Sequence, residues 1–198
     1  MKIERRIVAG HVELRAAGEK RQIVGHAGVY NREAIIAGMF RERIAPGAFD
    51  AVIGPLADVR GLFNHDANMV LGRTTAGTLV LSTDDIGLRY VIDPPNTSYA
   101  NDLLESLSRG DVTQSSYAFA VKTDEWTKPT RAGELPLRTI KEFEFLYDVS
   151  PVTFPAFEET TAEARSAALA QHAAIPDVTE DAAAILRARA ELDIVEVS

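Results

Sequence analysis

Residues 114–121 read Gln-Ser-Ser-Tyr-Ala-Phe-Ala-Val, an alternation of large and small side chains that is typical of a β-strand. Successive side chains of a strand point to opposite faces. One face carries large side chains, those of Tyr117, Phe119 and Val121. The other face carries small side chains, those of Ser116, Ala118 and Ala120. The large face predicts contact with a core. The small face leaves room beside Ser116 for a peptide backbone or an imidazole, although Ser116 can equally be a filler hydroxyl.

The same kind of pattern extends on both sides of this strand. Short alternating or apolar runs separated by Gly, Pro, Asn and Asp continue to about residue 155, which predicts a β-rich domain of the α+β class. Residues 84–87, Asp-Asp-Ile-Gly, predict a hairpin turn. The predicted strands are residues 3–8, 23–30, 41–44, 59–63, 78–82, 88–92, 115–121 and 139–149.

Two helices are predicted among the strands. Residues 46–53 can form a short helix that Gly54 and Pro55 end. The second helix has Asn96 or Thr97 as its N-cap and ends at Gly110. Its apolar residues recur at helical spacing on one face and are Ala100, Leu103, Leu104 and Leu107.

The composition changes after Pro155, where alanine and acidic residues become frequent. Such a segment favours helix but has few apolar positions from which to build a core. We therefore expect a domain over residues 1–158 and an acidic, Ala-rich, helical or mobile tail over residues 159–198.

Composition excludes several functional classes. The net charge of -8 disfavours a nucleic-acid partner, which requires clustered Lys and Arg. Cysteine is absent, so disulfides and thiolate chemistry are excluded, and no His-rich metal motif occurs. The first residues lack an apolar core of about 7 to 15 residues, and no apolar run of membrane-spanning length occurs. We therefore expect no export signal, and a cytosolic protein without a membrane partner.

Among four histidines, His65 has the context of a reactive residue, because it ends the apolar strand of Gly61-Leu62-Phe63 and is followed by polar residues. His26 is the competing candidate, and His11 and His172 lack supporting context. A lone histidine is more often a surface or turn residue bonded to nearby backbone. The sequence pattern alone leaves both interpretations open.

A hydroxyl nucleophile needs a base and usually a third group that orients the base. Residues 141–150 offer acidic candidates for the third role. Strict alternation places Glu142, Glu144, Leu146 and Asp148 on one face and Phe143, Phe145, Tyr147 and Val149 on the other. A solvated acidic face above an aromatic core face explains the same pattern.

Five segments between about residues 20 and 160 are informative through their order along the chain. Two lie upstream, at residues 25–31 (Gly-His-Ala-Gly-Val-Tyr-Asn) and 42–49 (Glu-Arg-Ile-Ala-Pro-Gly-Ala-Phe). The other three are Phe63-Asn64-His65-Asp66, Ser116-Tyr117-Ala118-Phe119 after Arg109-Gly110-Asp111-Val112, and Leu146-Tyr147-Asp148-Val149-Ser150 continuing to Ala156. The five segments in this order resemble the HK97-type phage prohead proteases.

The resemblance implies a fold similar to the herpesvirus maturational proteases, a compact closed or partly closed β-barrel with surrounding helices. It implies Ser116 as the nucleophile and His65 as the base, with Ser115 on the opposite face of the strand. The family has a glutamate as the third catalytic residue. The matching residue here is Asp148, and Glu144 is the second candidate for this role. Backbone amides are expected to stabilise the oxyanion, and no cofactor or metal is implied.

The resemblance also implies a biological setting. The substrates would be the scaffold or delta segment of a capsid protein and the protease's own tail, cut inside a phage procapsid in the host cytoplasm. The resemblance does not decide whether the chain forms a homo-oligomer. The alternatives are a non-enzymatic assembly factor that binds capsid or scaffold protein, and an unrelated β-barrel that binds a ligand.

Overall fold

The structure is a computed structural model, which describes residues 3–17 and 20–153. The predicted tail, residues 159–198, lies outside the described residues, as do His172 and the predicted domain boundary at residue 158.

The described residues are mainly β-structure, which confirms the β-rich prediction. Ten strands are formed: β1 Glu4–Ala17, β2 Lys20–Val29, β3 Ala34–Ile36, β4 Phe40–Ile44, β5 Arg60–Phe63, β6 Asp66–Arg73, β7 Leu79–Thr83, β8 Gly87–Ile92, β9 Gln114–Thr127 and β10 Leu137–Val152. Each of the eight predicted strands overlaps one of these ten. The sequence pattern missed β3 and β6, and it cut β1 short.

One α-helix, α1, spans Ser98–Arg109, as predicted. It begins after Thr97 and ends at Gly110, whose φ of 80° is the left-handed conformation that glycine adopts without strain. Its predicted apolar face is buried against the sheet. The predicted helix at residues 46–53 is instead a turn that continues into a 3-10 helix, Asp50–Val52, and a second 3-10 helix spans Thr74–Ala76. No helix among the described residues is long and apolar enough to cross a bilayer.

The strands form one mixed sheet in the order β3-β4-β10-β9-β1-β2-β8-β7, with the β5–β6 hairpin attached to β10. β10 runs antiparallel to β9 and parallel to β4 and β5. A closed barrel is not confirmed, because no ladder joins β3 to β7 in the described part of the chain. An isolated parallel bridge between Tyr30 and Ile44 connects the end of β2 to the end of β4.

The large-residue face of β9 lies in the core, as predicted. Tyr117 and Phe119 are almost fully buried and stack with ring centroids 4.8 Å apart. Phe143 of β10 meets Phe119 edge to face at 5.0 Å and stacks on Phe49 at 4.5 Å. This aromatic cluster ties β9, β10 and the turn before the first 3-10 helix into a single apolar centre.

The predicted alternation along β10 is wrong in its second half. Phe145 is 47% exposed, whereas Leu146, placed by the pattern on the acidic face, is 6% exposed and in the core. The cause is a series of register shifts in the β9–β10 ladder, one of them between Phe143 and Phe145. Each extra residue moves the following side chains to the opposite face.

A buried ion cluster joins β1, β4, β9 and β10 at one end of the sheet. Arg6 bonds both Glu42 (2.6 Å) and Glu4 (2.6 Å), and Arg138 bonds Glu4 (2.9 Å), Glu42 (3.0 Å) and Asp124 (2.6 Å). Burial alone would raise the pKa of Glu4, but the charge of Arg6 and the hydrogen bond from Arg138 outweigh burial and lower that pKa. The cluster therefore anchors the first residues of β1 against β10.

We predict a structural role for Ser115, whose hydroxyl lies 2.7 Å from the hydroxyl of the fully buried Tyr90. Ser115→Ala should lower the free energy of unfolding by about 1–3 kcal/mol, because it leaves a buried Tyr90 hydroxyl without that partner. Urea unfolding measures the change. The double variant Ser115→Ala with Tyr90→Phe should regain most of the loss, and a loss that stays additive would contradict this explanation.

Candidate active site

Ser116 lies at the centre of the sheet, on the face of β9 that points away from the aromatic core. β9 runs between β1 and β10, and Ser116 is opposite Ile7 on one side and Ser150 on the other. Its side chain is fully buried. The small-residue face predicted from the sequence is thus a real face of the sheet, covered next to Ser116 by the β5–β6 hairpin.

His65 is presented by the tight turn of that hairpin. Phe63 and Asp66 pair across it, and the two residues between them, Asn64 and His65, have φ of 54° and 57°. Positive φ at both central residues is the signature of a type I′ turn, whose twist matches the flanking strands. Asn and His tolerate this conformation better than most residues with a side chain. The local sequence therefore permits a turn that projects an imidazole from the end of β5.

Asn64 fastens this turn to the end of β10. Its backbone N–H donates to the carbonyl of Pro151 (3.0 Å), and its side-chain amide donates to the hydroxyl of Thr153 (3.1 Å). The Thr153 backbone N–H donates in return to the Asn64 side-chain oxygen (2.8 Å). Three hydrogen bonds thus hold the residue next to His65, which restricts where the imidazole can lie.

The structure brings together Ser116, His65 and Asp148. The Ser116 Oγ lies 2.6 Å from His65 Nε2, and His65 Nδ1 lies 2.6 Å from Asp148 Oδ1. A carboxylate only accepts hydrogen bonds, so in the neutral imidazole Nδ1 carries the hydrogen and donates a hydrogen bond to Asp148. Nε2 is then an unprotonated acceptor that faces the serine hydroxyl.

Ser150 is a fourth member of the group that the sequence interpretation did not include. Its hydroxyl donates to Asp148 Oδ1 at 2.7 Å and lies 3.4 Å from His65 Nδ1. Two donors on one oxygen fix the direction of the Asp148 carboxylate. A signal was present, because residues two apart on a strand share a face and Ser150 follows Asp148 at that distance.

The Ser116 hydroxyl has a second acceptor, the backbone carbonyl of Arg6 on β1, at 3.0 Å. A hydroxyl has one hydrogen, so the Arg6 carbonyl and His65 Nε2 compete for it, and Nε2 is the nearer. The Arg6 side chain belongs to the buried ion cluster on the other face of β1. That cluster therefore helps set the position of the carbonyl beside Ser116.

The other candidates lie elsewhere. Glu144 is exposed on β10 and forms no hydrogen bond with His65, and the register shifts explain why it does not share the face of Asp148. His26 bonds Asp84 of the β7–β8 turn at 2.8 Å. Ser115 faces the core beside Tyr90.

Residues 3–17 and 20–153 contain no group of three or more His, Asp or Glu side chains placed to hold a metal ion.

This arrangement can activate a hydroxyl for attack on a carbonyl, because an acceptor nitrogen is in contact with the hydroxyl and is itself oriented by a carboxylate. The group is well enclosed, with side-chain exposures of 14% for His65 and 8% for Asp148. Low water access strengthens the electrostatic interactions among these groups.

We predict that Asp148, and not Glu144, controls the imidazole proton. Asp148→Asn should move the His65 Nδ1 proton resonance upfield, because an amide oxygen accepts less strongly than a carboxylate. Glu144→Gln is the matched control and should leave the resonance in place. Proton NMR of the two variants measures both effects, and a shift in the Glu144 variant alone would transfer the orienting role to that residue.

Comparison with known proteins identifies a family for the chain. No curated protein and no solved structure matches it. The family model of the caudovirus prohead serine proteases matches residues 10–175, which is most of the chain and contains the Ser116, His65 and Asp148 group. This chain belongs to the caudovirus prohead serine protease family.

Proposed function

We propose that the chain is a serine endopeptidase in which Ser116 is the nucleophile, His65 the general base and Asp148 the residue that orients His65. The observation that supports this most directly is the continuous hydrogen-bonded chain from the serine hydroxyl through the imidazole to the carboxylate, with both contacts at 2.6 Å. Family membership supports the serine peptidase class independently of this geometry.

In the acylation step, His65 Nε2 takes the Ser116 proton while Oγ attacks the carbonyl carbon of the scissile peptide bond. The imidazolium that forms is stabilised by Asp148, which Ser150 holds in position. Backbone amides stabilise the oxyanion of the tetrahedral intermediate. The imidazolium then returns its proton to the leaving amine, the C–N bond breaks, and an ester to Ser116 remains.

In the deacylation step, water takes the place of the amine. His65 Nε2 removes a proton from the water while the water oxygen attacks the ester carbonyl. The imidazolium then protonates the Ser116 Oγ as the ester bond breaks. The new carboxyl end leaves and Ser116 regains its hydroxyl. No net charge is left on the site after one turnover.

We propose that the substrates are the scaffold or delta segment of a capsid protein and the chain's own tail, cut inside the procapsid in the host cytoplasm. The role of the family in phage capsid maturation supports the first substrate. The second is supported by the position of Thr153, whose hydrogen bonds to Asn64 place it beside His65. Thr153, which precedes the tail in the sequence, therefore lies next to the turn that presents His65.

We also propose that the fold is a partly closed barrel related to the herpesvirus maturational proteases. The Tyr30–Ile44 bridge supports this, since it connects β2 back to β4 after the path through β10, β9 and β1. An experimental structure superposed on a herpesvirus protease tests the relationship.

Replacing the nucleophile should abolish catalysis and preserve the fold. We expect Ser116→Ala to stop cleavage of a co-expressed cognate capsid protein while the chain remains folded, because the substitution removes one hydroxyl and leaves the apolar core intact. A fluorophosphonate probe should label Ser116 in the wild-type chain and nothing in the variant. Mass spectrometry of the labelled peptide identifies the position.

The two histidines provide the matched comparison for this experiment. His65→Ala should lower turnover by several orders of magnitude and prevent labelling. His26→Ala removes an imidazole that bonds Asp84 instead, so labelling should persist. A chain that binds capsid protein but is never labelled would be the non-enzymatic assembly factor, and undiminished cleavage by Ser116→Ala would remove Ser116 from the mechanism.

We propose that residues 159–198 are dispensable for catalysis and direct the protease into the procapsid. A chain that ends at Glu159 should still cleave an added peptide in a Ser116-dependent way, and it should be absent from purified procapsids. Circular dichroism, peptide cleavage and the protein content of procapsids measure the three properties. Unfolding of the shortened chain would assign the tail to the folded domain.

A further inference from the structure

The face of β9 that carries Ser116 continues as a row of small residues. Ala118 and Ala120 follow Ser116 at intervals of two, so all three side chains point to the same side of the sheet. The three positions are spaced by about 7 Å, from a strand rise of 3.2–3.4 Å per residue. An extended peptide on this face has the same spacing between side chains that point toward the sheet.

Longer side chains flank the two alanines. Ala118 lies between Arg5 of β1 and Asp148 of β10, whose carboxylate is already bonded to His65 and Ser150, and Phe145 of β10 is opposite Ala120. Phe145 is 47% exposed, and Ile3, two residues before Arg5, is 55% exposed. A peptide that extends along the row from Ser116 therefore meets the guanidinium of Arg5 first, and then the apolar side chains of Ile3 and Phe145.

The side chain of Arg5 has to lie on this face because its neighbours in sequence lie on the other one. Glu4 and Arg6 both point into the buried ion cluster. Arg5 is exposed, and no ion pair or hydrogen bond joins its guanidinium to the described part of the chain. Arg15, at the far end of the same strand, is paired with Glu13 instead.

The geometry points to Arg5 as a specificity-determining residue that pairs with an acidic side chain of the substrate, while Ile3 and Phe145 receive an apolar side chain. This inference rests on the proposed function, since it takes Ser116 as the point of attack. The expected substrate is an extended peptide with Asp or Glu two residues from the scissile residue and an apolar residue four residues from it, on the same side of the cut. A guanidinium and a carboxylate form a charge-assisted, bidentate contact of the kind that gives such selectivity.

The row itself is covered in this structure. Ser116 is 0% exposed, and Ala118 and Ala120 are each 2% exposed. The exposed surface beside the row is formed by Arg5, Ile3 and Phe145, so these side chains are the ones that a bound peptide contacts. Attack by Ser116 requires that the groups covering its hydroxyl move first.

A peptide-cleavage profile tests the inference. The full chain is incubated with a proteome-derived peptide library, and the cut sites are identified by mass spectrometry. The best site is then made as a matched peptide pair with Glu or Lys two residues from the cut. We expect the wild type to prefer the Glu peptide by at least tenfold in kcat/KM, through KM more than through kcat.

Four variants complete the experiment. Arg5→Glu should reverse the preference toward the Lys peptide, whereas Arg15→Glu, the control on the same strand, should keep the wild-type preference. Phe145→Ser should reduce the preference for an apolar residue four positions from the cut and leave the Glu preference intact. Ser116→Ala should cut neither peptide.

The outcomes separate this inference from the proposed function. Cleavage that depends on Ser116 but has the same preference in wild type and Arg5→Glu overturns the inference alone. Cleavage that survives Ser116→Ala, or no cleavage of any library peptide, overturns the proposed function and this inference with it.

Discussion

The antiparallel pairing of β9 with β10 is the constraint on which the rest of the structure depends. It sets Ser150 opposite Ser116 and Asp148 opposite Ala118, so the hydroxyl and the carboxylate share one face of adjacent strands. The opposite face of the same ladder supplies Phe119 and Phe143 to the aromatic core. Core and site are thus two sides of one pair of strands, and a slip of one residue would exchange them.

His65 comes from a separate hairpin, and its placement depends on a turn with two residues in the left-handed conformation. Residues other than glycine in the left-handed region cost about 1 kcal/mol or more each, and Asn64 and His65 are both there. The hydrogen bonds from Asn64 to Pro151 and Thr153 offset this cost and connect the turn to the end of β10. The hydrogen bonds that stabilise the turn therefore also bring the imidazole to the strand that bears Asp148.

β1 serves both sides of the sheet at once. The side chains of Glu4 and Arg6 enter the buried ion cluster, while the carbonyl of Arg6 accepts from Ser116 and Arg5 remains exposed beside Ala118. Removing one partner of a buried ion pair leaves an uncompensated charge, so the cluster resists displacement of β1. The strand next to the proposed nucleophile is in this way held by charges that never contact the nucleophile.

Much of the architecture follows from local pattern, because alternation and helical spacing act over a few residues. The strand of Ser116, its two faces, the β7–β8 hairpin and α1 could all be predicted in this way, and so could Ser116, His65 and Asp148 as candidates. The exposed Phe145, the role of Asn64 and the separation of Glu144 from Asp148 could not, and the only signal for Ser150 was its spacing of two residues from Asp148. These features depend on register shifts in β10 and on contacts between residues such as Asn64 and Thr153, which lie far apart in the chain. Sequence alone therefore determined which strands and side chains were available, whereas the choice among those side chains was made by tertiary pairing, since register is decided by the summed packing of both faces of the sheet.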